Sequence, residues 1–224
     1  MSRVIGLILI CLIIYSLKIN EFWKIPYNVK NFKQNLVVML IIDLGILTIF
    51  FVNTLCSNDS SKDLYSDNLV KALSKGAVQI SGTPDNTKLE ELEDPYDEVE
   101  RSKLSRGTDY IWDAAYYNQK YYVYFGVLPA ILIMVPYHLI TKKLLLSSVV
   151  TLIFSLLSIP VLIVLVKKIF QKYFKELSFK YMALSFLIMI FGTMLIFTNV
   201  APRFYELVTV RWIFLCNTRI FTCI

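Results

Sequence analysis

The chain has 224 residues, 56% of them hydrophobic and only 18% charged, with a formal net charge of +6 and one histidine. That apolar excess excludes an ordinary soluble domain. The lone His138 excludes chemistry that needs a histidine pair, and the four cysteines (Cys11, Cys56, Cys216, Cys223) have neither metal-ligand nor redox spacing.

Apolar residues come in blocks, and a helix needs about 20 of them to cross roughly 30 Å of hydrocarbon. The first block, Val4–Leu17, resembles the core of a signal peptide. No small-residue cleavage site follows it, because Leu17-Lys-Ile-Asn-Glu-Phe-Trp-Lys is unsuitable, so an uncleaved helix is predicted. Leu36–Leu55, Leu144–Val166 and Tyr181–Val200 have the length of full spans. Tyr122–Ile140 carries Pro129, Pro136, His138 and several tyrosines, and the last block, from Leu207, is broken. The predicted fold is an all-α integral membrane protein with about five transmembrane helices. Its parts are two N-terminal membrane helices in residues 1–55, an outer segment over 56–143, and further membrane helices over 144–224, where a truncated end is expected.

The charge is segregated. Residues 56–121 are net −5 and the rest of the chain is net +11. The basic excess sits in short linkers between apolar blocks, which marks orientation in a membrane rather than nucleic-acid binding. Two linkers stand out: 18–35, with Lys18, Lys24, Lys30 and Lys33, and 167–180, with Lys167, Lys168, Lys172, Lys175 and Lys180. Both are expected on the cytoplasmic side. They can be there together only if Tyr122–Ile140 does not cross and lies instead at the interface or re-enters from outside. Its two prolines, which remove helical hydrogen bonds, fit that. The acidic segment 56–121 and Arg203, Tyr205 and Glu206 then share the outer face.

Within the outer segment, Ser60-x-x-Asp63 reads as a capping box and Gly76 as a helix C-cap, with Leu64, Tyr65, Leu69, Ala72 and Leu73 as an apolar stripe between them. Thr87-x-x-Glu90 opens a short helix. Asp94-Pro95 reads as the start of another, running to Arg106 and Gly107. Then comes Trp112-Asp-Ala-Ala-Tyr-Tyr-Asn-Gln-Lys-Tyr-Tyr-Val-Tyr-Phe-Gly-Val-Leu-Pro129, two aromatic arms around a polar turn. Rings with polar tips gather where an apolar phase meets water, and they also hold sugars and lipid headgroups.

The inventory on this face suits sugar transfer from a lipid phosphate. A carboxylate takes the proton of the attacking hydroxyl, and a basic residue offsets charge on the leaving phosphate. Asp59, Asp63 and Asp67 follow the outward span and are candidate catalytic acids, though each also fits a solvated helix cap or face. Asp113 is a fourth, inside the aromatic motif. Trp112, Tyr116, Tyr117, Lys120 and Tyr121 are candidates for holding the substrate, or else a plain interfacial belt. Arg203, Tyr205 and Glu206 offer a phosphate-binding group, or mark a helix end. Glu90 to Glu100 reads as a wet helix face. Asp43, near the middle of a span, is costly there, and reads as a protonated acid bonded to a neighbouring helix or as a functional group.

The 112–129 run, with Pro136-Tyr137 and Leu139-Ile140-Thr141, resembles a segment of bacterial multi-pass membrane glycosyltransferase-like proteins of the GT-C type. Tyr65-x-x-x-Leu69-x-x-Ala72-Leu73-x-x-Gly76, Asp94-Pro95-Tyr96-Asp97, Phe191-Gly192-Thr193 and Phe204-Tyr205-Glu206 add to it, so it covers roughly residues 60–206. The resemblance implies a polyprenyl-phosphate sugar donor, a cell-envelope glycan acceptor, a lipid environment in the cell membrane, and a catalytic acid in the first large outer loop. No cofactor is expected, with a divalent metal left open. Gln119 departs from the usual Asn-Gly turn, and members of that group have more spans than this chain. Two other readings are a non-catalytic envelope protein that binds lipid-linked glycans or partner helices, and a transporter, for which only Asp43 and Pro160 qualify.

Overall fold

A computed structural model describes residues 21–56, 64–80, 87–105, 110–111, 114–124, 127–200, 208–211, 213–216 and 219. Among them the chain is mostly helical, with one two-stranded sheet. Three helices are long and apolar enough to cross a membrane: Phe32–Cys56 (25 residues), Ser147–Tyr173 (27) and Phe179–Val200 (22). At 1.5 Å per residue even the shortest reaches about 33 Å. They coincide with the second, fourth and fifth apolar blocks. The first block lies outside the described residues, and the last is described only as helical pieces at 208–211 and 213–216, so the expected five spans are seen as three.

The chain divides into two compact units. The first comprises Met1–Val52, Phe154–Phe197 and Trp212–Ile224. Here helix Phe32–Cys56, which we label α1, starts at Asn31, whose side-chain oxygen accepts from the amides of Lys33 (3.1 Å) and Gln34 (3.3 Å). One face of α1 is buried at Gln34, Val38, Ile41 and Ile49. Gly45 lies on that face, and a Cβ there would stand 2.9 Å from Ile190 Cγ2, so a larger residue would force the Ile190 side chain to shift. The opposite face is exposed at Leu36, Met39, Leu40, Leu47 and Phe50, and Asp43 lies among them. The expected bond from Asp43 to a neighbouring helix of this chain is absent among the described residues, because α1 turns that face outward.

The second unit comprises Asn53–Ile153 and Thr198–Arg211. Helix Leu64–Ser74 (α2) ends as predicted at Gly76, whose φ is +75°. Ala77 donates to Ala72 O at 2.9 Å and Gly76 to Leu73 O at 3.0 Å, the two bonds of a Schellman cap. α2 packs on the helical segment Val127–Thr141 (α3). That segment is about 22 Å long at helical rise, shorter than the hydrocarbon it would have to cross. Ahead of Pro136 it widens into a π-helical turn, Ala130–Met134, with the Val135 amide bonded to Ala130 O. A proline ring strains a regular α-helical turn, and the wider turn accommodates it. Lys142, at φ +59°, closes the segment, and His138 Nδ1 lies 3.1 Å from Lys143 O, so this histidine sits in a helix cap.

Between α2 and α3 the helix expected to run from Asp94-Pro95 to Arg106 is a single turn, Glu98–Arg101. Its N-cap is Asp97, which accepts from Val99 N at 2.9 Å. Asp94 instead accepts from Tyr96 N at 2.8 Å in a turn of its own. An Asp bonding its own backbone two residues on competes with helix, and here it wins.

Candidate functional site

The aromatic motif folds as a hairpin. β1 (Ala115–Tyr117) pairs antiparallel with β2 (Lys120–Tyr122), with Tyr116 opposite Tyr121 and Tyr117 opposite Lys120. The two-residue loop between them has Asn118 at φ +48° and Gln119 at φ +60°, a type I′ turn. A third segment joins the outer edge of β2, where Ile80 N donates to Tyr121 O at 2.9 Å and Gln79 bridges Tyr122.

Strand alternation sorts the tyrosines into two sets. Tyr116 and Tyr121 point inward, 8% and 0% exposed, with ring centroids 5.1 Å apart. Tyr117 and Tyr124 are exposed, as is Lys120. Beneath the hairpin, Tyr116 OH donates to Glu90 Oε1 at 2.7 Å, and Tyr96 OH donates to the Tyr116 carbonyl at 2.5 Å. The Arg101 guanidinium lies over the Tyr110 ring, 5.3 Å from its centroid. Burial, and then the bond to the Glu90 carboxylate, hold the Tyr116 phenol well above its usual range. Burial also raises Tyr121, opposed only in part by the Ile111 backbone and the Arg101 charge.

Compared with protein-family models, curated proteins and solved structures, the chain matches none.

Of the residues singled out from sequence, this arrangement gathers Tyr116, Tyr117, Lys120 and Tyr121 on one hairpin. Only Tyr117 and Lys120 offer a ring face and an ammonium outward, because the inward pair spend their faces on each other. Asp67 sits half-buried in the first turn of α2. Asp59, Asp63, Trp112, Asp113, Arg203, Tyr205 and Glu206 lie outside the described residues. No three His, Cys, Asp or Glu side chains come together as a metal site among the described residues. Cys56 and Cys216 are free thiols.

Sequence reasoning misses Glu90, Tyr96 and Arg101. Glu90 reads as part of a wet acidic face, yet its carboxylate holds a buried tyrosine 26 residues away. No periodicity links those positions. The usable signal is composition: carboxylates and Arg101 standing close to a motif rich in phenols, which are their natural hydrogen-bond partners.

Proposed function

We propose that the chain is a membrane glycosyltransferase-like protein, multi-pass in the cell membrane, that moves a sugar from a polyprenyl-phosphate donor to an envelope glycan. One observation carries the reading. A hairpin braced from below by Glu90 and Tyr96 presents an aromatic and cationic edge, Tyr117, Lys120 and Tyr124, in the segment between two membrane-length helices. In the proposed step the acceptor hydroxyl oxygen bonds to the anomeric carbon as the bond from that carbon to the donor phosphate oxygen breaks. The hydroxyl proton passes to a carboxylate among Asp59, Asp63, Asp67 and Asp113. The bonding electrons leave with the polyprenyl phosphate, whose charge Lys120 and Arg203 offset.

Transfer of radiolabelled sugar from a polyprenyl-phosphate donor in isolated membranes tests this. Asp63→Asn and Asp113→Asn should each lower transfer by about 10²–10⁴-fold, the usual loss for a general base. Asp97→Asn, on an exposed cap that an amide also fills, should be near neutral. Small and equal effects at all three positions would sink the catalytic reading. The second reading, a non-catalytic protein that binds lipid-linked glycans or partner membrane helices, draws on Asp43. A carboxylate on an outward apolar face of a span calls for a partner from elsewhere.

A further inference from the structure

Far from the hairpin in sequence, the first unit joins the two lysine-rich linkers into one surface. Phe179 N donates to Ile25 O at 2.9 Å, and Pro26 bridges Ser178. The Phe179 ring is completely buried. Trp23 stacks on it at 5.3 Å, Phe22 meets it edge-on at 5.5 Å and Tyr27 lies over it at 6.0 Å. Gln34, buried in α1, fixes the first linker by accepting from Asn28 N at 2.7 Å and donating to Pro26 O at 3.2 Å. Across 21–35 and 167–180 this brings eight lysines against two glutamates. Lys24, Lys30, Lys33, Lys172, Lys175 and Lys180 are exposed, and Lys167 Nζ sits 5.3 Å above the Tyr27 ring.

A recess of about 130 Å³ opens in this surface, lined by Tyr27, Phe170, Gln171, Phe174, Lys175 and Leu177. Its wall is apolar where helix Ser147–Tyr173 (α4) leaves the membrane-length apolar run, and its rim is polar and cationic. A lysine that only marks orientation needs no fixed neighbours. Here the linkers are hydrogen-bonded and stacked on each other, which holds the charges together around an apolar notch.

We propose that this recess binds the phosphate headgroup of an anionic phospholipid, with Lys167 and Lys175 beside the phosphate and the acyl neck against Phe170, Phe174 and Leu177. Each lysine near an anionic lipid surface adds to the attraction, and basic recesses between membrane helices are suited to such headgroups.

The full chain, purified in neutral detergent, would be titrated with dioleoylphosphatidylglycerol, dioleoylphosphatidylcholine, glycerol 3-phosphate or inorganic phosphate while its apparent melting temperature is followed. Phosphatidylglycerol should raise that temperature saturably, phosphatidylcholine should not, and added salt should weaken the effect. Lys167→Gln/Lys175→Gln should need roughly 30-fold more phosphatidylglycerol for half the shift, while Lys167→Arg/Lys175→Arg should keep most of the effect. Lys142→Gln/Lys143→Gln, in the other unit, should titrate like the parent. Equal stabilisation by phosphatidylcholine, or by inorganic phosphate or glycerol 3-phosphate alone, would overturn the lipid assignment. So would an unchanged titration in the glutamine variant. If that variant does not fold, the arginine variant decides: a shift lost although charge is kept would count against a headgroup site.

Discussion

The side-chain amide of Asn53 donates to Asn199 Oδ1 at 3.1 Å and to the Ser148 carbonyl at 3.0 Å, with all three residues buried. Asn53 closes the last turns of α1, Ser148 opens α4, and Asn199 ends the third long helix. One amide thus fastens the same end of three membrane-length helices, two arriving and one departing. Because the three residues are buried, a polar atom freed by substitution is left without a ready replacement partner. Asn53→Leu should lower the apparent melting temperature in lipid nanodiscs by about 2–4 °C, for a loss of about 1 kcal/mol in a chain of this size. Asn53→Asp should do at least as much, because a carboxylate cannot donate to either oxygen. An unchanged transition in both variants would show that packing alone holds these ends.

That arrangement gives the topology its test. The orientation expected from the charges, with α1 outward, α4 inward and the third helix outward again, would put both lysine linkers on one side and the acidic segment on the other. In a cysteine-free background of intact cells, Ser105→Cys should react with a membrane-impermeant thiol reagent. Gln171→Cys should react only after permeabilisation. Labelling of position 171 from outside would mean that Val127–Thr141 crosses the membrane despite its length.

Gln119 is the strained member of the hairpin. Both central residues of the turn have positive φ, which Asn tolerates and Gln does not favour. Gln119→Gly should therefore stabilise the outer segment by roughly 1 kcal/mol, against the usual cost of a glycine in regular structure. The check is protection of the Lys120 and Tyr122 amides, which face β1, from hydrogen exchange, which should rise. Lower protection would mean that the Gln119 side chain matters more than its backbone.

The spans are legible in the sequence because a 20-residue apolar run has few other fates, and Gly76 because a left-handed cap selects glycine. The hairpin turn is legible too: two aromatic arms around Asn118-Gln119 leave little else. What sequence conceals is long-range pairing. Asn53 with Asn199, Glu90 with Tyr116, and Ile25 with Phe179 are each a single polar or backbone contact, and no pattern within either partner marks the other. The same limit hides the sorting of the tyrosines. Alternation fixes that Tyr116 and Tyr117 face opposite ways, but which one faces in depends on Glu90 and the third strand-like segment. The expected 94–106 helix fails for a local reason, since Asp94 satisfies its own turn.

Tyr116 makes the hairpin sensitive to alkali in a defined window. Its phenol ionises near pH 10 in the unfolded chain and higher in the folded one, chiefly through burial and then through the Glu90 carboxylate. The folded state therefore holds its proton more tightly. The stabilisation from this linkage is fully present below about pH 10 and is lost as pH rises through the higher folded value. Between about pH 7 and 9 Tyr116 should add no pH dependence, because both states keep the proton. Tyr116→Phe should lower stability across that range by roughly 0.5–1.5 kcal/mol, through the lost bond to Glu90, and should flatten the fall above about pH 10. Glu90→Gln should soften the same fall without abolishing it, since burial remains. Tyrosinate absorbance followed alongside the unfolding signal separates the cases. A parent whose full tyrosinate signal develops near pH 10 before any unfolding would mean that the Tyr116–Glu90 bond does not hold the hairpin.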